Sequence, residues 1–135
     1  VHEEGTPVVR DAMARADMVT TCAIAYVEAR AAFVRRRRAG HLSGPEHRRV
    51  VRDFEIDWSR YGLVDVSESL IREAAALAEA HGLRAYDAVH LASARIVAGD
   101  GRHAVVIATW DAELEAAAVR EGLASLRLTE GRERR

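Results

Sequence analysis

The sequence predicts an α/β protein, a three-layer α/β/α sandwich around a small parallel sheet. Three observations carry that reading. Short apolar or β-branched runs alternate with segments of helical period along the whole chain. Residues Ala104 to Ala108 form a continuous Val- and Ile-rich run, the pattern of a strand covered on both faces in a parallel sheet. Residues Ala85 to Ala98 are apolar nearly all round, broken only by Asp87, His90, Ser93 and Arg95, as in a helix buried between layers.

The elements follow in order. Thr6-Pro7 is a cap residue with Pro at the first helical position, opening a helix to about Ala16. Met18 to Thr21 reads as a short strand. The spacing of Ile24, Val27, Ala31 and Val34 predicts a helix with this stripe facing the core, ending near Ala39 with Gly40 as a left-handed terminator. Ser43 and Glu46 have the spacing of a capping box, and His47, Val50, Val51, Phe54 and Trp58 then share one face, so the two helices form a hairpin. Leu63 to Val66 is a strand, Ser67 caps the following helix, and Gly82 closes it. After the Ala85 helix and the Ala104 strand, Thr109-Trp110-Asp111 opens a helix to Glu121, with Thr109 in the cap position. Gly122 stops it, and Leu123 to Leu128 makes the last strand. One domain is expected over 1–128, followed by a charged, frayed tail over 129–135.

Composition narrows the function classes. The 135 residues are 49% hydrophobic and 30% charged, with 2 Pro and 9 Gly, enough apolar material for a core and too little Pro and Gly for a linker-rich chain. No apolar run approaches the roughly 20 residues of a membrane span, and Val1-His2-Glu3-Glu4 lacks the layout of a signal peptide, so a cytoplasmic location is expected. The single Cys22 excludes an internal disulfide, and no Cys/His spacing suggests zinc. A net charge of -1 rules out a general nucleic-acid-coating protein. All 20 basic residues are Arg, which suits phosphate contacts and also fits a GC-rich coding bias.

Three acids stand where solvent-facing charge is not expected. Glu28 falls on the apolar stripe of its helix, Asp87 lies in the first turn of the buried helix on the row of Leu91, Ala94 and Ala98, and Asp111 follows the Ala104 to Ala108 strand, where a parallel sheet places its ligands. Singly, each has a structural explanation: a rim pair with Arg for Glu28, first-turn amides for Asp87, the helix dipole for Asp111. Together they repel one another unless a cation compensates, and hard carboxylate oxygens select Mg²⁺ or Mn²⁺.

Three blocks of sequence also carry a resemblance: Thr20-Thr21 through Ala25-Tyr26-Val27-Glu28-Ala29-Arg30, Arg84-Ala85-Tyr86-Asp87-Ala88-Val89-His90-Leu91-Ala92, and Ala108-Thr109-Trp110-Asp111. Their order and spacing resemble those of the PIN-domain ribonucleases, in particular the VapC-like toxins of prokaryotic toxin-antitoxin pairs. The resemblance implies a metal-dependent endoribonuclease that cleaves RNA by metal-activated water. Glu28, Asp87 and Asp111 match the family's second, third and fourth acids, and Thr109 its hydroxyl position. Asp87 is then a direct ligand of Mg²⁺ or Mn²⁺, Glu28 a ligand or water positioner, Asp111 a ligand to a second or weaker metal, and Thr109 an orienting hydrogen-bond partner.

The family's first acid ends an amino-terminal central strand, and no such block occurs from Val1 onward; Glu3 and Glu4 lack a preceding strand. The natural product is therefore expected to begin about 10 to 20 residues upstream, with that strand between those at Met18 and Ala104. The implied partners are an RNA substrate, a cognate antitoxin received beside the helical hairpin, and a second copy in a homodimer. Two other readings use the same residues: a DNA nuclease or phosphatase on a similar scaffold, and a non-catalytic binding module whose acids are structural. The run Arg35 to Arg38 suits both a solvated helix end and an RNA-backbone contact. Tyr26 and Tyr86, close before two of the acids, are expected to pack in the core, as is His90.

Overall fold

A computed structural model describes residues 6–126. The residues 1–5 with Glu3 and Glu4, the end of the expected last strand at 127–128 and the charged tail at 129–135 lie outside the described residues. The chain forms two compact units: a hairpin unit, Val19–Val66, and a second unit that joins residues 6–18 to residues 67–126.

In the hairpin unit, β1 (Thr20–Cys22) runs parallel to β2 (Gly62–Val64). Both strands differ from the segments expected, Met18 to Thr21 and Leu63 to Val66, because the pairing register Thr20 to Gly62 selects the paired residues and leaves Met18 and Val66 exposed. Between the strands come α2 (Ala25–Arg38) and α3 (Gly44–Trp58). Gly40 adopts φ +78° after α2, as a terminator should. At the start of α3 the Glu46 amide donates to Ser43 Oγ at 3.2 Å and the Ser43 amide donates to Glu46 Oε2 at 2.7 Å, a complete capping box.

The buried face of α2 is not the one its aliphatic spacing indicated. Val27, Ala31 and Val34 are exposed, and the helix turns Tyr26 and Phe33 onto α3 instead. Tyr26 packs at 5.6 Å from Phe54 and 5.2 Å from Trp58, and Phe33 packs edge-on at 5.6 Å from Phe54. Large rings remove more apolar area from water than Val or Ala, so they win the interface.

The second unit contains α1 (Thr6–Arg15), α4 (Glu68–His81), α5 (Ala85–Ala98), β3 (Val106–Ala108), α6 (Ala112–Arg120) and β4 (Ala124–Leu126). Strands β3 and β4 are parallel, so the described strands form two parallel pairs, as an α/β protein of this kind requires. Ser67 Oγ accepts the Leu70 amide at 3.1 Å to cap α4, and Gly82 ends that helix at φ +65°. The core is built from small and branched side chains: Leu70, Ala74 and Leu77 of α4, Ala88, Leu91 and Ala92 of α5, and Leu114, Ala117 and Ala118 of α6 are buried. Val89 and Ser93 of α5 are buried as well, while Tyr86 and Ile96 are exposed, so the helix is not covered all round. Strand β3 likewise departs from expectation. Val106 and Ala108 are exposed, so the run is not covered on both faces, and Ala104 and Val105 lie before the paired strand because only Val106 to Ala108 find partners in β4. No helix among the described residues is long and apolar enough to cross a membrane.

Candidate active site

Two of the three acids meet through a shared guanidinium. Asp87 stands in the first turn of α5, three residues after Arg84, which occupies the position before that helix and lends no side-chain cap. Asp111 ends the loop after β3 and is itself the cap of α6: its Oδ1 accepts the Leu114 amide at 2.8 Å. The cap is therefore Asp111 and not Thr109, because only the residue adjoining Ala112 has extended backbone with its side chain within reach of the third helical amide. Thr109 serves two residues earlier, its Oγ1 accepting the Asp111 amide at 3.1 Å. That bond holds the loop so that the second carboxylate oxygen faces Arg84.

Arg84 Nε lies 3.4 Å from Asp87 Oδ2, and Arg84 Nη2 lies 3.3 Å from Asp111 Oδ2. The two carboxylate side chains are 20% and 31% exposed, while the Arg84 side chain is 79% exposed. Two partly desolvated anions on separate elements are thus held beside each other by one cation on a long, solvent-anchored side chain. An exposed Arg gains little from such pairs and loses side-chain entropy in making them, so it is readily displaced. The chemistry of this pair suits a hard divalent cation. Its oxygens already converge on positive charge, and Mg²⁺ commonly binds through one or two carboxylates while keeping several waters. Among the described residues no group of three or more His, Cys, Asp or Glu is placed to hold a metal ion, so the pair is the arrangement to be considered.

Glu28 belongs to the hairpin unit. It lies in the first turn of α2, half-buried, with its amide donating to Ile24 O at 3.3 Å. On the same helix the Tyr26 hydroxyl donates to Glu55 Oε1 of α3, and Arg30 Nη1 donates to Tyr26 Oη at 2.9 Å and Glu55 Oε1 at 3.0 Å. The Glu55 carboxylate accepting a hydrogen bond from the phenol, with some desolvation added, raises the Tyr26 pKa above its ordinary value. Tyr26 therefore packs as expected and also carries a polar link across the hairpin. Tyr86 does not pack as expected: it is 45% exposed on the first turn of α5. His90, one turn after Asp87, is half-buried in the same helix.

Sequence reasoning passed over Arg84, although its spacing of three from Asp87 at a helix start is the available signal. It also missed a shallow depression on the hairpin unit, floored by Val27, Ala31 and Val34 and flanked by Arg30, Arg35 and Arg38. Arg35 and Arg38 stand there as exposed side chains, whereas Arg36 of the same run is half-buried.

The PIN domain model matches residues 2–120. Two relatives from Mycobacterium tuberculosis, Ribonuclease VapC45 of strain CDC 1551 / Oshkosh and Ribonuclease VapC49 of strain ATCC 25618 / H37Rv, are each 37% identical to this chain over 102 residues. In both, the alignment covers 76% of this chain and 69% of the relative. With the α/β class, the parallel strands and the order of the three blocks all in agreement, the chain belongs to the PIN-domain family and is VapC-like within it.

Proposed function

We propose that this protein is a metal-dependent endoribonuclease, the toxin of a toxin-antitoxin pair. The observation that supports it best is the convergence of Asp87 and Asp111 on one exposed cation, in a chain whose relatives carry the name ribonuclease. A bound Mg²⁺ or Mn²⁺ supplies charge against the scissile phosphate and a water of lowered pKa. Asp87 and Asp111 would hold it through their carboxylate oxygens.

The remaining roles belong to the chain. Asp111 divides its labour: Oδ1 anchors α6 and Oδ2 is left for the cation. Thr109 keeps that geometry by accepting the Asp111 amide, which is the orienting role assigned to it. Arg84 holds the two carboxylates together and, once displaced, offers a guanidinium for a phosphate oxygen. Glu28 enters as a further acid through the resemblance of its block. The substrate is RNA, and the partners are an antitoxin protein and a second copy of the chain. The apolar floor and Arg flanks of the depression on α2 suit an amphipathic antitoxin segment bearing acidic groups.

RNA cleavage by the intact protein, with Mg²⁺ or Mn²⁺ titrated against EDTA, tests the reading. Cleavage requires the metal, and Asp87→Asn lowers it about a thousand-fold, the several kcal/mol of charge stabilisation a metal contributes, with the melting temperature retained. Undiminished cleavage by Asp87→Asn removes that residue from the site. Glu28→Gln, assayed separately, reports whether the hairpin unit contributes to the chemistry.

A further inference from the structure

Charge is spread unevenly along the chain. Residues 35–52 hold seven of its 20 Arg and one of its 21 acids, Glu46, so the net charge of -1 conceals a strongly basic segment. That segment is the tip of the helical hairpin: the last turn of α2, the connection and the first half of α3. The seven Arg are not equivalent. Arg35 and Arg38 flank the depression on α2, Arg36 is half-buried, and Arg49 acts on the Glu46 carboxyl one turn before it. Arg37, Arg48 and Arg52 are exposed, and among the described residues they form no ion pair, whereas exposed Arg15 and Arg72 each meet a carboxylate one turn away.

These three make one ridge. A Cβ placed on Gly44 would lie 3.5 Å from Arg48 Nη1 and 4.0 Å from Arg37 Nη2, so guanidinium groups from two helices converge over the first residue of α3. Arg52 follows Arg48 by one helical turn on the same row. Like charges repel, and the positive end of the α3 dipole adds to the repulsion. The acids nearby are engaged elsewhere: Glu46 Oε2 accepts the Ser43 amide at 2.7 Å, and Glu55, one turn after Arg52, is bound by Tyr26 and Arg30. Asp53 adjoins Arg52 in sequence and forms no ion pair with it among the described residues. The chain thus gathers positive charge at the hairpin tip and leaves it without an anion of its own.

The chemistry around the ridge selects its partner. Between Val34 and Ile56 no large apolar side chain is exposed. A lipid surface or an amphipathic protein helix binds through apolar anchors as well as charge, whereas a phosphate backbone is held by charge alone. We infer that Arg37, Arg48 and Arg52 form a backbone-binding ridge for RNA, in which each guanidinium takes a phosphate oxygen and releases counterions without reading the bases. This rests on the ribonuclease reading and adds to it a binding surface made of hairpin residues, with no part in the chemistry at Asp87 and Asp111. The ridge raises affinity for any RNA sequence and leaves the choice of cleavage site to other contacts.

The test measures binding of the intact protein to two labelled single-stranded RNAs of unrelated sequence, across a range of salt concentrations and in EDTA, where no metal links RNA to the carboxylates. Arg37→Gln, Arg48→Gln and Arg52→Gln each weaken binding of both RNAs by roughly five-fold at 0.1 M salt, and the triple variant by roughly a hundred-fold, with its salt slope shallower by about two, as the loss of three phosphate contacts requires. Arg72→Gln, an exposed Arg outside the hairpin, leaves affinity and slope unchanged. The melting temperature of the triple variant equals or exceeds that of the wild type, because repulsion is relieved. A triple variant that keeps the wild-type affinity and slope overturns the inference. So does one that keeps them while losing binding to polyglutamate or to vesicles rich in phosphatidylserine, which would assign the ridge to an acidic protein or a membrane. Cleavage with Mg²⁺ separates the two readings: KM rises in the triple variant with kcat retained if both hold, and a wild-type protein that binds RNA through the ridge without cleaving it overturns the ribonuclease reading and leaves the ridge standing.

Discussion

The two units solve the packing problem in opposite ways. The hairpin unit uses aromatic rings between α2 and α3, yet neither helix has a fully buried residue, and the interface is finished by polar groups at its edge: Tyr26, Glu55 and Arg30. The second unit uses Leu and Ala almost alone and buries many of them completely, between α4, α5 and α6. Its polar link is correspondingly less exposed. His81 at the end of α4 meets Glu121 at 2.6 Å, and Arg95 of α5 joins Glu121 at 3.4 Å and Glu73 at 3.3 Å. Small side chains fill this core without an aromatic residue. The hairpin unit, whose helices are rich in Arg, packs with rings instead.

The largest expected effect is in the core of the second unit. Leu91→Ala removes a fully buried side chain from α5 and should cost about 2 to 5 kcal/mol, while Phe54→Leu in the half-buried hairpin interface should cost less than about 1.5 kcal/mol, as hydrophobic swaps that keep most of their volume do. Chemical denaturation of both variants measures the contrast. Equal losses would mean that the hairpin is as tightly packed as the Leu and Ala core.

The polar links provide a smaller contrast. Glu121→Gln weakens bonds to two cations from a partly buried position and should cost about 1 to 2 kcal/mol, whereas Glu55→Gln, at a position nearly half exposed, should cost under about 1 kcal/mol. Thermal melts at low and high salt separate them, because only the exposed link is strongly screened. A salt-sensitive Glu121 would erase the distinction.

The smallest effect concerns the α3 capping box and pH. Accepting the Ser43 backbone amide, with further help from the Ser43 side chain, holds the Glu46 carboxyl below its ordinary pKa. A depressed folded pKa contributes stability above the unfolded value and loses it as the pH falls through the folded one. The difference in melting temperature between wild type and Glu46→Ala should therefore be steady above about pH 5 and shrink as the pH drops through and below the ordinary Glu value of about 4.3. A gap that persists in acid would show that the box acts through its geometry and not through the charge.

Much of the helical framework is legible in the order of the residues. The Ser43 and Glu46 box, the Ser67 cap, Gly40, Gly82 and the bounds of α5 all follow from residues three or four apart, and such interactions read the same in sequence as in the fold. Asp87, Asp111 and Thr109 can be singled out because carboxylates at a helix start and after a strand are conspicuous in an otherwise apolar context, and these three do share one locality. The strands are legible only approximately, since a three-residue strand is defined by its partner: β1 and β2 take the residues that pair, not the residues with the highest strand preference.

What the sequence determined by itself about this protein is its α/β class, its helix ends and the identity of its carboxylate candidates for chemistry, because all of these rest on local spacing and on residue type. Tertiary structure alone decided which side of α2 is buried, where two periodic faces compete and the larger rings prevail over Val27, Ala31 and Val34. It alone brought Arg84 between Asp87 and Asp111. Arg84 and Asp111 are 27 positions apart, and no periodicity along the chain encodes a distance across it.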